Sequence, residues 1–408
     1  MNLAVLTTYP PIKCGIAEYS YDLTRSLLEV NPKINITVYR VGSVEDNTLP
    51  ANQYDLSKIN IIDTKITIEN VKYDKLAKLF NENYDVIHIQ HEYNIFPCEI
   101  KFIQFLDELR KYCDKLIITL HTVKHSLWYP GIDKFQRKIA EKVDVIVVHS
   151  VLQEMELIHQ RVDPNKIIKI PHGTRIARIV SKEEAIVKLN LPIKESDNVL
   201  LLQGFLRQDK GLNIAVEAFS RLIKDMNNIV LIIAGQVQFP QHNEKYVREV
   251  MVKISELSDK IIIMNKYLTR NEVDLVYSIS DIILFPYVDV NGDIGVSGAL
   301  HWALGSFKPL ICSKTPRLVE YYQYVPKLVF PPQNADLLVE KIKYVLSHYD
   351  EVLEYIGPII DYAIETSWIN IAKQHLKLYN NEDPYLIDVL HSNVKQRVLS
   401  IAKTKFTT

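Results

Sequence analysis

The 408-residue sequence lacks a hydrophobic run long enough to cross a bilayer. Apolar stretches such as 145–148 and 230–234 fall far short of the ~20 residues a spanning helix needs. Net charge is nearly absent too. Lys and Arg total 48 and Asp and Glu 49, a balance of -1, so there is no electrostatic case for nucleic acid as a partner. The four cysteines (Cys14, Cys98, Cys113, Cys312) are scattered, without Cys-x-x-Cys spacing. That pattern argues against a zinc site and for reduced thiols in the cytoplasm. The N-terminal MNLAVLTTYPP has no basic region before its brief apolar run, and reads as a strand rather than a signal peptide. The dinucleotide fingerprint GxGxxG is missing after the first strand of either half, which counts against nicotinamide and flavin cofactors.

What is present is an alternation. Hydrophobic residues make up 47% and charged residues 24%, as in soluble globular chains, and the length suits two or three domains. Short apolar strands are expected at 3–7, 36–40, 59–62, 86–90, 116–120, 145–148 and 167–170. Helices are expected at 17–30, 71–81, 100–112 and 134–141. The strands are unbroken apolar runs, the signature of a parallel sheet covered on both faces. Pro171, His172 and Gly173 turn the chain into a mixed polar connection, 174–196. A second set follows, with strands at 199–203, 230–234, 261–264, 282–285, 310–312 and 328–330. Its helices are expected at 212–225, 245–257, 270–279, 296–304 and 335–348. C-terminal helices are expected at 358–365 and 367–379. The tail from Asn380, with Lys395, Arg397, Lys403 and Lys405, reads as a solvated surface helix, with weak peripheral membrane contact as its alternative.

In open α/β sheets ligands sit beyond the carboxyl ends of the strands, and the polar residues of this chain gather there. Gly15 follows the first strand, His91 and Glu92 the strand at 86–90, and His121 the strand at 116–120. Each is also readable as a structural strand-end residue. In GFLRQDKG, Gly204 precedes Arg207 and Lys210; the first grips phosphate oxygens in a bidentate way, the second acts as a point charge. Within 281–313 a strand, a polar loop (286–295), a helix and a strand succeed one another. Gly295, Ser297, Gly298 and Ala299 open that helix, so their N–H groups and the helix dipole suit an anion. A capped βα turn is the plain alternative. The acidic DVNGD at 289–293 lacks the calcium-loop pattern and reads as an acidic turn or a sugar contact.

These motifs resemble those of the retaining GT-B glycosyltransferases of family four, which use nucleotide sugars. The resemblance rests on YPPIKCGIAEYSYDLTRSL, IQHEYNIF, LHTVKHS, IPHG, GFLRQDKG and SWINIAKQHLKLY, in that order. It implies a GT-B fold, two doubly wound parallel-sheet, Rossmann-like domains facing across a cleft. The acceptor-side domain would be 1–178 and the donor-binding domain 179–359, with the C-terminal helices (about 360–408) packing back on the first. The donor would be a nucleoside-diphosphate sugar of mannose or glucose type, and the acceptor a glycan, lipid or small molecule. No cofactor and no metal are implied. By resemblance His121 lies near the donor sugar, while Gly15, His91 and Glu92 line the acceptor side. Arg207 and Lys210 would meet the diphosphate, with Gly204, Gly295, Ser297, Gly298 and Ala299 around it.

Two features depart from the family pattern. Its two glutamates, seven residues apart, are replaced here by Ile294 and Trp302, and an SGAL-type subgroup resembles this chain better. Asp293 or Asp289 would then take over a sugar contact. The arginine expected beside Gly204 is Phe205, so Arg207 supplies the charge. The alternatives are a GT-B nucleotide-sugar epimerase or phosphorylase, and a non-catalytic sugar-nucleotide-binding subunit.

Overall fold

The computed structural model describes residues 1–42, 53–67, 71–238, 240–257, 260–288 and 291–387. Asp289 and the basic tail from Lys395 to Lys405 therefore lie outside the described residues. The strands in chain order are β1 (Asn2–Thr7), β2 (Asn35–Arg40), β3 (Asn60–Asp63), β4 (Tyr84–His91), β5 (Cys113–Leu120), β6 (Thr122–Lys124), β7 (Val145–Val148) and β8 (Ile167–Lys169). They continue with β9 (Asn198–Gln203), β10 (Ile229–Ala234), β11 (Ile261–Met264), β12 (Ile282–Phe285), β13 (Asp293–Gly295), β14 (Leu310–Ser313) and β15 (Val329–Phe330).

The chain forms two compact units. Among the described residues, the first comprises Met1–Gly173, Asn291–Gly298 and 366–387, and the second 174–288 and Ala299–Glu365. Among the described residues, the first unit holds a parallel sheet in the order β3-β2-β1-β4-β5-β7-β8. The second holds a parallel sheet in the order β11-β10-β9-β12-β14-β15. The unbroken apolar strands explain both. All six residues of β10, IVLIIA, are buried, which requires helices on the two faces of the sheet. Each such aliphatic side chain contributes about 1.5–3 kcal/mol on burial. No described helix is long and apolar enough to cross a membrane.

Three local readings change. The polar connection 174–196 contains a helix, Lys182–Leu189, capped by the Ser181 side chain. It is stapled to the sheet beneath it: Lys182 Nζ lies 2.8 Å from Asp281 Oδ2, which also accepts from the Val199 N–H at 2.9 Å. A further helix, Val151–His159, follows β7 with a full capping box between Ser150 and Gln153. Ser150 is thus spent on the helix start. Finally, the helix expected at 296–304 begins at Gly298, and the loop before it contains β13. This strand pairs antiparallel with β6, Asp293 opposite Lys124 and Gly295 opposite Thr122. Its partner is some 170 positions away along the chain, so local propensity alone reads the segment as loop. Gly295 makes the pairing possible, because a Cβ there would lie 2.8 Å from the carbonyl oxygen of His121.

The chain re-enters the first unit at Thr366. The helix Trp368–Tyr379 packs against Gly15–Val30, and the Trp368 ring lies 5.0 Å from that of Tyr19. The preceding helix, Gly357–Glu365, stays with the second unit.

Candidate active site

In the second sheet the strand order reverses between β9 and β12, and the carboxyl ends at such a reversal form a ligand crevice. The turn 204–211 leaves β9 there. Gly211 has φ +67°, and a Cβ on it would lie 1.8 Å from the Pro286 carbonyl oxygen. Only glycine lets the turn close against the end of β12. The contact is fixed by the Val288 N–H, which donates to the Asp209 carbonyl at 2.9 Å. As a result Lys210 Nζ sits 3.7 Å from the centroid of the Tyr287 ring. Ala299, the second residue of the helix Gly298–Leu304, adjoins Gly204, whose added Cβ would lie 3.7 Å from the Ala299 Cβ.

Three cationic side chains act on one carboxylate, Asp209, two of them from this turn. Arg207 holds Asp209 through Nε at 2.7 Å and through a second, Nη2 contact. Its Nη1 donates to Gln238 Oε1 at 3.2 Å. Arg317, after β14, brings Nη1 to 4.0 Å from Asp209 Oδ2. Among the described residues, no carboxylate lies within 4 Å of Lys210 Nζ. Burial alone would push the Asp209 carboxyl up; the Arg207 hydrogen bond and the charges of Lys210, Arg207 and Arg317 outweigh it and hold it below its usual value. Burial pulls the Lys210 ammonium well below the usual lysine value, Asp209 opposes this, and Arg207 and Arg317 reinforce it. The turn and Arg317 set three cationic side chains about Asp209 in a poorly solvated place, which suits an incoming anion.

In the first sheet the reversal lies between β1 and β4. Gly15, the first residue of the helix after β1, has nothing within 4 Å of an added Cβ. The end of β4 meets β5 in a chain of buried polar groups. The His149 Nδ1–H donates to the Ile170 carbonyl at 2.9 Å, since a carbonyl only accepts. The Nε2 of a neutral His149 then accepts a hydrogen bond from the His121 Nδ1–H, 3.3 Å away. His121 Nε2 lies 2.9 Å from the Gln90 side-chain amide, which reaches His88 Nε2 at 3.3 Å. His88 Nδ1 lies 2.8 Å from the Tyr379 hydroxyl. Burial, and then His149, pulls the His88 pKa to about 3. Burial likewise holds His121 well below the usual histidine value, with His149, His88 and His91 adding to it. Neutral rings satisfy the chain when Gln90 turns its NH₂ to His121. Both ring nitrogens of His121 are then engaged within the protein.

His91, expected on the acceptor side, is fully buried among Tyr93 and Phe102 at 5.0 and 5.1 Å, and burial first of all pulls its pKa to about 3. Glu92 remains partly exposed, accepting from Thr122 Oγ1 at 2.7 Å and from the Tyr93 N–H at 3.0 Å. Asp293 and Gly295 lie on β13, alongside β6. Ser297 is buried, and a Cβ on Gly298 would approach His172 Nε2 to 3.3 Å. Of the residues standing in place of glutamates, Ile294 pairs with Val123, and the Trp302 ring has Arg175 and Arg270 each at 5.0 Å. Phe205 lies 5.6 Å from Tyr267. Sequence reasoning missed Arg317, Tyr287 as partner of Lys210, and Gln238. Arg317 was findable by the rule that revealed the others, since it follows the carboxyl end of a strand.

Known proteins match this arrangement. The model for Glycosyltransferase Family 4 matches residues 15–178, and that for Glycosyl transferases group 1 matches residues 183–358. The chain is similar to the N-acetyl-alpha-D-glucosaminyl L-malate synthase of Bacillus anthracis, 22% identical over 293 residues, covering 68% of this chain and 71% of that protein. It is similar to the glycogen synthase of Caldicellulosiruptor bescii, 23% identical over 352 residues, covering 82% and 70%. Its fold matches the crystal structure of Anabaena HepE in complex with UDP and glucose, with TM-score 0.71 at 12% identity, covering 93% of this chain and 100% of that one. Two parallel sheets with ligand edges at their reversals, and two family models in succession along the chain, identify it as a member of the GT-B glycosyltransferases of family four, which use nucleotide sugars.

Proposed function

We propose that the protein transfers a mannose- or glucose-type hexose from a nucleoside-diphosphate sugar to a hydroxyl of a glycan, lipid or small molecule, with retention of anomeric configuration, in the cytoplasm. The observation that carries this reading is the gathering of Arg207, Lys210 and Arg317 about Asp209 beyond the end of β9. As the bond between C1 and the diphosphate oxygen breaks, negative charge grows on the leaving group, and Arg207, Lys210 and Arg317 are the groups that answer it. The acceptor oxygen bonds to C1 on the same face, and its proton passes to the departing phosphate. The N–H groups of Ser297, Gly298 and Ala299 supplement the cations, and Gly204 leaves room beside them. In this reading the second unit binds the donor and the first the acceptor. Gly15 and Glu92 face the acceptor, Asp293 meets the donor sugar, and the neutral His121, held from both sides, bounds the sugar with its ring edge.

Thermal unfolding in the presence of UDP-, GDP- and ADP-sugars tests the donor. The matching donor at about 100 times its Kd adds ~2.7 kcal/mol of apparent stability; no stabilisation by any of them refutes the reading. With cations in place of a metal, turnover is expected to survive a chelator. Loss of activity that Mn²⁺ restores would show that a metal takes part.

A further inference from the structure

Leu127 and Trp128 are consecutive residues that leave their side chains in solvent, 77% and 54% exposed. They are not on a loose end. The His125 N–H donates to the Gly292 carbonyl at 2.8 Å, and the N–H groups of Trp128 and Tyr129 both donate to the His125 carbonyl at 3.1 Å. The Leu127 N–H donates to His125 Nδ1 at 3.1 Å. An ordered turn thus pushes a large aliphatic and a large aromatic side chain outward. The helix Ile132–Lys142 follows directly. It buries Ile132, Phe135 and Ile139 and turns Lys134 and Lys138 to solvent, one turn apart on the same side. Among the described residues, no carboxylate lies within 4 Å of either ammonium.

An exposed Leu-Trp pair asks for an apolar partner. Two exposed lysines on the helix that follows, without a carboxylate partner among the described residues, ask for an anionic one. A protein surface that matched only the apolar pair would leave the lysines unanswered, and a dimer through this turn would bring like charges together. A bilayer interface bearing anionic headgroups answers both: tryptophan and leucine enter the headgroup boundary while lysines meet phosphates. We propose that this turn and helix face dock the enzyme on an anionic membrane surface, peripherally.

Flotation of the full chain with vesicles tests this. Vesicles of phosphatidylcholine containing phosphatidylglycerol are expected to bind it about tenfold or more better than phosphatidylcholine alone, with binding weakened by salt. The double substitution Leu127→Ser with Trp128→Ser should cut binding about tenfold, and Lys134→Glu with Lys138→Glu should remove the preference for anionic lipid. The unsubstituted protein supplies an independent readout. Of three tryptophans, Trp368 is 6% exposed and Trp302 is partly buried beside Arg175 and Arg270. A blue shift of emission on adding anionic vesicles therefore reports Trp128. The proposal is overturned if the protein fails to float with either vesicle, or if emission does not shift. It is also overturned if the double serine variant binds as before, or if that variant abolishes a dimer seen by sedimentation in a protein that ignores vesicles.

Discussion

The two units use similar sheets for opposite electrostatics. At the reversal of the second sheet, Arg207, Lys210 and Arg317 gather around one carboxylate. At the reversal of the first, His88, Gln90, His121 and His149 form a desolvated chain in which burial favours neutral rings and each ring nitrogen has a partner. The first end sets buried neutral rings against one another, and the second sets cations about a carboxylate. In the proposed reaction, stabilising developing charge falls to the second unit's turn and positioning to the first unit's histidines.

That contrast breaks most directly at Lys210. Lys210→Ala is expected to lower kcat/KM by about 10²–10³ with the fold intact; unchanged steady-state kinetics would remove the ammonium from the reaction. In the first unit the balance should reverse. His149→Leu leaves His121 Nδ1 buried without its partner and should cost about 1–3 kcal/mol in denaturant unfolding, with a smaller loss of turnover than at Lys210. A turnover loss as large as that of Lys210→Ala would show the histidine chain to be chemical rather than positional.

The pH dependence sharpens the same comparison. Burial holds the folded-state pKa of Lys210 below that of the unfolded chain, so between the two values the unfolded chain binds more protons and stability rises with pH. Below the folded value the cost of the buried charge is fully present. A bound diphosphate favours the ammonium and raises that pKa. Binding therefore takes up a proton, and nucleoside diphosphate affinity should fall as pH rises through the depressed value. Titration calorimetry in buffers of different ionisation enthalpy reads that uptake, and its absence would mean Lys210 is not at the phosphates. The smallest effect on folding is expected at Gly15. Gly15→Ala meets open space, so its unfolding free energy should stay within about 0.5 kcal/mol of the parent, as for harmless surface changes. Loss of transfer in that stable variant would locate a ligand beside the backbone there.

Much of this was legible before folding. Unbroken apolar strands such as IVLIIA can be satisfied only between two helical layers, so they declared parallel sheets. Strand-end placement then picked out Gly15, Glu92, His121, Arg207 and Lys210. It failed to tell an outward residue from an inward one: His91 and Glu92 are neighbours, yet one packs among aromatic rings and the other keeps a solvent face. Position 293–295 was read as loop because its partner, β6, is remote in the chain.

The sequence by itself determined the alternation of strands and helices, the lack of an apolar run long enough for a spanning helix, and the cations that follow β9. Each rests on periodicity or residue type, which neighbours along the chain suffice to set. Tertiary structure alone decided that Lys210 lies over Tyr287, that Arg317 joins Asp209, that β13 pairs with β6, and that both nitrogens of His121 are engaged. Those facts depend on which remote groups meet at a strand end, and on how much water is excluded when they do. Desolvation at such a meeting point pulls Lys210 and His121 below their usual values, while neighbouring cations outweigh it at Asp209.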